Sequence, residues 1–184
     1  KITNLINRLG RTIHCLQFAQ GLNPAQWESL RYLSRANRYS RTPSALAEYL
    51  QTTKGTASQT LKSLESKGYV RRVAVPQDRR AVRIDLTDSG HSVLRRDPLQ
   101  CLEASAGALG DDLEAARRAL GRMAAAIERY NEGKAFGLCQ DCTHFCKNSA
   151  AGAEGGPHEC GLHKEPLSAA DSTKICVSHR CARV

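Results

Sequence analysis

A change in hydrophobic periodicity within residues 44–86 is the feature that most constrains the fold. Residues 44–50 and 54–67 carry apolar side chains at helical spacing, and a polar turn separates the two segments. Over residues 70–86 the apolar side chains alternate instead, around a polar interruption at residues 76–80. The sequence therefore predicts two short helices joined by a tight turn and followed by a two-stranded ribbon.

Helical spacing of apolar residues also predicts an opening helix over 2–16, a further helix over 24–36 and a long last helix over 111–132. Asn23 and Pro24 are residue types that favour the start of a helix. The last helix has an apolar stripe at steps of three and four, which is typical of a coiled-coil seam. The first helix has a similar face, so both ends of the helical region offer surface to a partner.

Two helices, a turn and a ribbon make up the winged helix-turn-helix arrangement, whose second helix can lie in the DNA major groove. We therefore predict a mainly α fold with a small β-hairpin wing and a DNA-reading core at about residues 24–90. The polar side of the second helix is predicted to face DNA through Thr53, Lys54, Thr56, Ser58, Gln59 and Lys62. The ribbon tip carries Asp78, Arg79 and Arg80, and the minor groove attracts arginine.

The charge distribution favours a polyanionic partner for the first half of the chain. Residues 1–100 contain 17 Lys and Arg against 7 Asp and Glu, whereas residues 101–184 contain 10 against 11. A basic module joined to a neutral one is typical of nucleic-acid binding. The alternatives are a solvated basic surface and a winged helix that is used only for protein contacts.

The ordered motifs between Leu46 and Gly90 resemble the MarR family of bacterial transcription regulators. The matching residues are Leu46-Ala47, Leu50, Leu61, Leu64-Glu65-x-Lys67-Gly68-Tyr69-Val70-x-Arg72, Asp78-Arg79-Arg80 and Leu86-Thr87-x-x-Gly90. The resemblance covers about residues 1–132 and implies a homodimer, formed by the first and last helices, on a pseudo-palindromic operator. It also implies that Asp78 braces the wing, that Arg79 or Arg80 enters the minor groove, and that residues 53–62 face the major groove. Arg72 is included in the predicted DNA-binding set.

Several classes of protein do not fit the sequence. No apolar run approaches the roughly 18 residues of a membrane span, and no secretory signal is visible at the beginning. We therefore expect a soluble cytoplasmic protein. No catalytic triad, phosphate loop or paired carboxylates are recognisable, so we expect no enzymatic activity. The isolated Cys15 and Cys101 lie in predicted helices and are expected to be small buried hydrophobic residues.

The remaining residues, 133–184, are predicted to form a loop-rich cysteine tail. Six of the eight cysteines lie there, at Cys139, Cys142, Cys146, Cys160, Cys176 and Cys181. A Cys-x-x-Cys pair brings two thiolates within reach of one metal, and single cysteines from separate loops can complete a four-thiolate site. Because the tail has few large apolar side chains, we expect something other than a hydrophobic core to organise it.

Three kinds of site are compatible with this spacing: an iron–sulfur cluster, a structural zinc ion and a metal-free thiol switch. Isolated third and fourth cysteines favour the cluster, and a catalytic dithiol is disfavoured because no βαβ pattern surrounds the pair. The nearby histidines, His144, His158, His163 and His179, are expected to surround the site or face solvent rather than to bind metal.

The tail also resembles cysteine-rich extensions found behind some MarR-like domains, of the form Cys-x-x-Cys-x-His-Phe, then Pro-His-x-Cys, then Cys-x-x-His. This resemblance favours Cys139, Cys142, Cys160 and Cys176 as ligands, with Cys146 and Cys181 as substitutes, and we favour a 2Fe-2S over a 4Fe-4S cluster.

The resulting hypothesis is a DNA-binding regulator whose cluster senses redox state or iron. The alternative is a regulator that responds to a small molecule or a thiol and has a structural zinc site.

Overall fold

The computed structural model describes residues 1–75, 78–130, 136–149 and 155–180, and its helices agree closely with the predicted ones. The helices are α1 (Ile2–Leu16), α2 (Pro24–Arg35), α3 (Pro43–Tyr49), α4 (Lys54–Ser66), α5 (Asp88–Leu94), α6 (Gln100–Gly107), α7 (Leu113–Tyr130) and α8 (Ala169–Ser172). The last long helix begins two residues later than predicted, because Gly110–Asp112 forms a turn of 3-10 helix.

Side-chain caps determine where the first helices of the core begin. The Asn23 side chain accepts the Gln26 backbone N–H at 2.9 Å, and the Gln26 side chain accepts the Asn23 N–H at 3.0 Å. Thr42 caps α3 and Thr53 caps α4 in the same position. These contacts satisfy backbone donors that a helix N-terminus otherwise leaves without a partner.

The hydrophobic core lies where α2, α3 and α4 meet the ribbon. Trp27, Leu30, Leu46, Leu64 and Ile84 are fully buried there. Full burial of one such side chain stabilises the fold by about 1.5–3 kcal/mol. The core therefore fixes α4 against the other helices and leaves its opposite face outside.

The wing consists of β1 (Val70–Val75) and β2 (Asp78–Leu86), which pair antiparallel from Val70 opposite Leu86 to Val75 opposite Asp78. The predicted interruption at residues 76–80 was too long, since β2 already begins at Asp78. The register shifts between Ala74 and Val75. Residues 76 and 77 themselves lie outside the described part of the chain.

The two terminal helices of the predicted dimerisation region have little contact with the core. No residue of α1 is buried, and none of the described side chains of α7 is. Leu120 and Ile127 are each 61% exposed. The expectation that Cys15 and Cys101 are buried was wrong, because both thiols lie on helices that contribute nothing to the core.

The tail folds back onto the core as two small antiparallel sheets. One pairs β3 (Gly137–Leu138) with β7 (Ile175–Cys176), and the other contains β4 (Phe145–Cys146), β5 (His158–Cys160) and β6 (Glu165–Leu167). Ile175 belongs to the hydrophobic core, and Phe136, Leu138 and Val177 pack against it. A few apolar residues of the tail thus join the core formed by α2, α3, α4 and the ribbon. The prediction that something other than a hydrophobic core organises the tail stays a prediction.

Among the described residues, no helix combines the length and the apolar character that crossing a bilayer requires.

The glycine of the Leu86-Thr87-x-x-Gly90 motif has a packing reason that we can test. A Cβ at Gly90 would overlap the Tyr69 carbonyl oxygen, whereas Gly107 in α6 has open space around it. We expect Gly90→Ala to lower the free energy of unfolding by about 1–3 kcal/mol. Gly107→Ala should leave it unchanged or raise it by about 0.4–1 kcal/mol. Urea unfolding of both variants measures this difference, and equal stability of the two would refute the packing argument.

Candidate nucleic-acid interface and cysteine site

The outer face of α4 presents the polar side chains that the sequence assigned to DNA. The side chains of Thr53, Lys54, Thr56, Gln59 and Lys62 are exposed, and Ser58 is half-buried. On the opposite side Ala57, Leu61 and Leu64 are buried in the core. Packing on one side therefore holds a polar face of the helix toward solvent.

Thr53 has a structural role as well as a predicted DNA contact. Its hydroxyl accepts the Thr56 N–H at 3.1 Å and lies 2.9 Å from the Thr56 hydroxyl. The cap fixes the first turn of α4. A helix N-terminus with exposed N–H groups also favours a phosphate nearby.

Arg72, another member of the predicted DNA-binding set, forms an ion pair within the protein. Its Nε lies 3.1 Å from Glu65 Oε2, and both side chains are partly exposed. This ion pair joins β1 to α4. The side chains of Asp78, Arg79 and Arg80 lie outside the described part of the structure, so their predicted roles remain predictions.

A carboxylate on β2 connects the wing to the helices, and the sequence analysis did not identify it. Asp85 Oδ1 accepts hydrogen bonds from Arg41 Nη1 at 3.0 Å and from Arg83 Nε at 3.1 Å. The Ile84 N–H donates to the Arg41 carbonyl oxygen at 2.7 Å. An acidic residue between two apolar strand positions, at Ile84 and Leu86, was the available signal.

The four cysteines favoured as ligands line a single small cavity in the tail. The cavity measures about 20 Å³ and is lined by Cys139, Cys142, His144, Phe145, Cys160, Leu162, His163, Leu167, Cys176 and Ser178. Cys146 is exposed and does not line it. Cys181 lies outside the described residues. The structure thus brings together the same four thiols that the motif resemblance selected.

Hydrogen-bond donors surround these sulfurs. Asn37 Nδ2 donates to Cys139 Sγ at 3.1 Å, and the Arg180 backbone N–H donates to Cys142 Sγ at 3.4 Å. The hydrogen bond from the Cys139 thiol lowers the pKa of Cys176, and donors from Asn37, Ser178 and Ser40 act in the same direction. The pKa of Cys139 is raised by its hydrogen bond to Cys176 and by burial. A lowered thiol pKa favours the thiolate, which is the form that binds metals.

The tail histidines differ in their contacts. His144 lines the cavity, and His179 packs against Gly137. Nε2 of His144 and both ring nitrogens of His179 are buried without a hydrogen-bond partner among the described residues. His163 stacks on the Tyr39 ring at 4.0 Å between centroids, and His158 Nδ1 accepts the Asn148 N–H at 3.2 Å.

No group of three or more His, Cys, Asp or Glu side chains in the described ranges is arranged to hold a metal ion. The cavity therefore gathers four thiols without presenting a ready-made coordination polyhedron.

Comparison with known proteins identifies the fold. Residues 20–81 match the sequence model described as the MarR family. The structure of FabT from Streptococcus pneumoniae in complex with DNA is 24% identical, with a TM-score of 0.56 over 71% of this chain and 92% of that one. The S. aureus MepR–DNA complex is 21% identical, with a TM-score of 0.55 over 68% of this chain and 98% of that one. The chain has a MarR-like winged helix-turn-helix fold.

Sequence relatives of this MarR-like chain are matched over a shorter region. The transcriptional repressor MprA of Escherichia coli K12 is 33% identical over 77 residues, which is 42% of this chain and 44% of MprA. The chain thus spans less than half the length of this curated relative. The family match ends at residue 81 and does not include the cysteine tail.

Proposed function

We propose that this protein is a transcription regulator that binds double-stranded DNA through α4 and the wing. The observation that carries the proposal is the exposed polar face of α4, held outward by the buried Ala57, Leu61 and Leu64 on its other side. The excess of Lys and Arg in residues 1–100 supplies attraction to phosphate. MprA is a transcriptional repressor, and FabT and MepR have been crystallised with DNA. The proposed role is that of a cytoplasmic regulator and not of an enzyme.

The proposal includes a homodimer formed by α1 and α7. Large apolar side chains on both helices are exposed in the single chain: Ile2, Leu5, Ile6, Leu9 and Leu16 on α1, and Leu113, Leu120 and Ile127 on α7. Exposed apolar surface of this extent favours burial against a partner. A twofold dimer presents two α4 helices, which matches a pseudo-palindromic operator.

We propose further that Cys139, Cys142, Cys160 and Cys176 hold an iron–sulfur cluster, with 2Fe-2S favoured over 4Fe-4S. The four thiols line one cavity, and N–H donors lie beside two of the sulfurs. Hydrogen bonds to sulfur are one of the factors that set the reduction potential of an iron–sulfur cluster. Pockets for organic ligands measure roughly 300–1,000 Å³, so a cavity of about 20 Å³ favours an inorganic occupant. When bound, the cluster would supply one-electron redox chemistry or sensitivity to iron supply.

A structural zinc ion is the alternative occupant, since four thiolates also suit zinc. In that case the regulatory signal would be a small molecule or a thiol oxidant. Either occupant regulates DNA binding only if its presence changes the free energies of the DNA-bound and free states unequally, and about 1–3 kcal/mol is a typical coupling.

Lys62 tests the DNA interface, because it is exposed on α4 next to the buried Leu61. With a duplex selected from a randomised pool by the wild-type protein, Lys62→Ala should weaken binding and reduce the salt dependence by about one phosphate contact. Lys147→Ala removes the same charge from the exposed surface of the tail and should change neither quantity. Fluorescence anisotropy across a salt series measures both. Equal losses for the two variants would contradict an interface on α4.

Leu120 tests the dimer. Leu120→Asp should convert the protein to a monomer, because a carboxylate would have to be buried in the proposed interface without a partner. Ala115→Asp places the same charge on an exposed position of α7 away from the apolar stripe and should leave the dimer intact. Analytical ultracentrifugation reports the mass directly. A dimeric Leu120→Asp variant would show that α7 does not form the interface through this stripe.

The cysteine site is tested by a pair of serine variants in protein purified without oxygen. We expect iron and acid-labile sulfide with visible absorption in the wild type, and their loss in Cys160→Ser. Cys146→Ser should retain them, because Cys146 is exposed and does not line the cavity. Stoichiometric zinc in colourless protein would support the alternative site. Full metal retention in Cys160→Ser would remove Cys160 from the ligand set.

A further inference from the structure

The segment between α2 and α3, residues 36–42, is in direct contact with the cysteine tail, and we refer to it as the corner. The Asn37 backbone N–H donates to the Ile175 carbonyl oxygen at 2.9 Å, and Ala36 bridges Ile175 in a parallel β-bridge. The Val177 N–H donates to Ser40 Oγ at 2.9 Å. Ile175 and Val177 flank Cys176, so the backbone on both sides of this cysteine is bonded to the corner.

The corner also touches the sulfurs themselves. Asn37 Nδ2 donates to Cys139 Sγ at 3.1 Å across 102 positions of sequence. Ser40 lies beside the second buried cysteine, since its Oγ accepts the N–H of the residue that follows Cys176. The DNA-reading domain therefore supplies part of the wall around the cysteine site.

Asn37 and Ser40 are both completely buried. A turn alone needs only the Asn37 Oδ1, which accepts the Ser40 N–H at 3.0 Å. The amide group of Asn37 is directed at the sulfurs instead, and burying it would be unfavourable without such an acceptor. The buried amide N–H of Asn37 is thus satisfied by the Cys139 sulfur.

The same corner is joined to the elements that are proposed to read DNA. The Arg41 carbonyl oxygen accepts the Ile84 N–H of the wing at 2.7 Å, and Arg41 Nη1 pairs with Asp85 at 3.0 Å. Thr42 caps α3, because its Oγ1 accepts the Ala45 N–H at 3.2 Å. Five residues separate Asn37, which contacts a cysteine sulfur, from Pro43, the first residue of α3.

We infer that Asn37, through its hydrogen bond to the Cys139 sulfur, and Ser40, through its hydrogen bond to the backbone beside Cys176, are positioning residues that hold the cysteine site against the corner and transmit occupancy of the site to α3 and the wing. The inference rests on the proposed metal site. When Cys139 is a metal-bound thiolate, its hydrogen bond from Asn37 is charge-assisted and stronger than one to a neutral thiol. Occupancy of the site therefore tightens the corner, and loss of the occupant loosens the segment from which α3 begins.

The first test measures how firmly the site holds its metal. Purified wild-type protein is analysed for iron, sulfide and zinc, and the release of whichever metal is present is followed with a chelator. Ser40→Ala removes the acceptor of the Val177 N–H, and Asn37→Asp removes the donor to Cys139 Sγ but retains the Oδ1 acceptor of the turn. Since loss of a group that supports a metal ligand typically weakens binding by about 10–100-fold, we expect at least tenfold faster release.

Two controls separate this role from general packing. Ser34→Ala removes an exposed hydroxyl of α2 that bonds only its own helix, at the Arg31 carbonyl oxygen. Arg38→Gln weakens the docking of the tail at Glu165 and Pro166 without removing a sulfur contact. Both controls should release metal at the wild-type rate. Unchanged release in Ser40→Ala and Asn37→Asp would overturn the inference while leaving the metal site intact.

The second test measures transmission by hydrogen exchange of backbone amides in metal-loaded and metal-free protein. In the wild type, loading should slow exchange in residues 43–50 and at Ile84. In folded Ser40→Ala this difference should shrink or vanish, whereas Ser34→Ala should retain it. An undiminished difference in Ser40→Ala would overturn transmission through the corner. Wild-type protein that binds no metal under any condition would refute both the proposed site and this inference.

Discussion

The burial of the corner between α2 and α3 is the constraint on which the arrangement of this protein depends. Asn37 and Ser40 have no access to solvent, so each of their polar groups needs a partner inside the protein. The partners come from the corner itself, from the wall of the core at Tyr32, and from the strand that carries Cys176. The tail therefore supplies hydrogen-bond partners that the winged helix lacks on its own. The two parts pack against each other at the corner.

The helices of the winged domain could be predicted because each has a local signal. Asn23 and Pro24 fix the start of α2, and the spacing of Leu61 and Leu64 fixes which face of α4 is buried. The exposed polar side of α4 follows from that geometry. The start of β2 could not be placed, because the polar residues from Asp78 onward look like a turn in the sequence, whereas Asp78 pairs with Val75 after a shift in register between Ala74 and Val75.

In the cysteine site, the cysteines could be predicted from a motif, but the residues of the winged helix that surround them could not. Motif resemblance selected Cys139, Cys142, Cys160 and Cys176, which line one cavity. Nothing local connects Asn37 to them, since the hydrogen bond to Cys139 spans 102 residues of chain. Composition counts few large apolar side chains in the tail and does not show that Ile175 joins the core cluster that also contains Leu33 and Ala36.

The size of the proposed coupling is consistent with the contacts that would carry it. Hydrogen bonds to charged groups contribute about 1.5–3 kcal/mol each, against about 0.5–1.5 kcal/mol for neutral ones. Changing the Cys139 sulfur that Asn37 contacts from a thiol to a metal-bound thiolate therefore alters the corner by an amount similar to the roughly 1–3 kcal/mol typical of regulatory coupling. Only the part of this energy that differs between DNA-bound and free protein regulates binding. The corner meets that condition if DNA changes the position of the wing, because Arg41 bonds both to the backbone of Ile84 and to the carboxylate of Asp85.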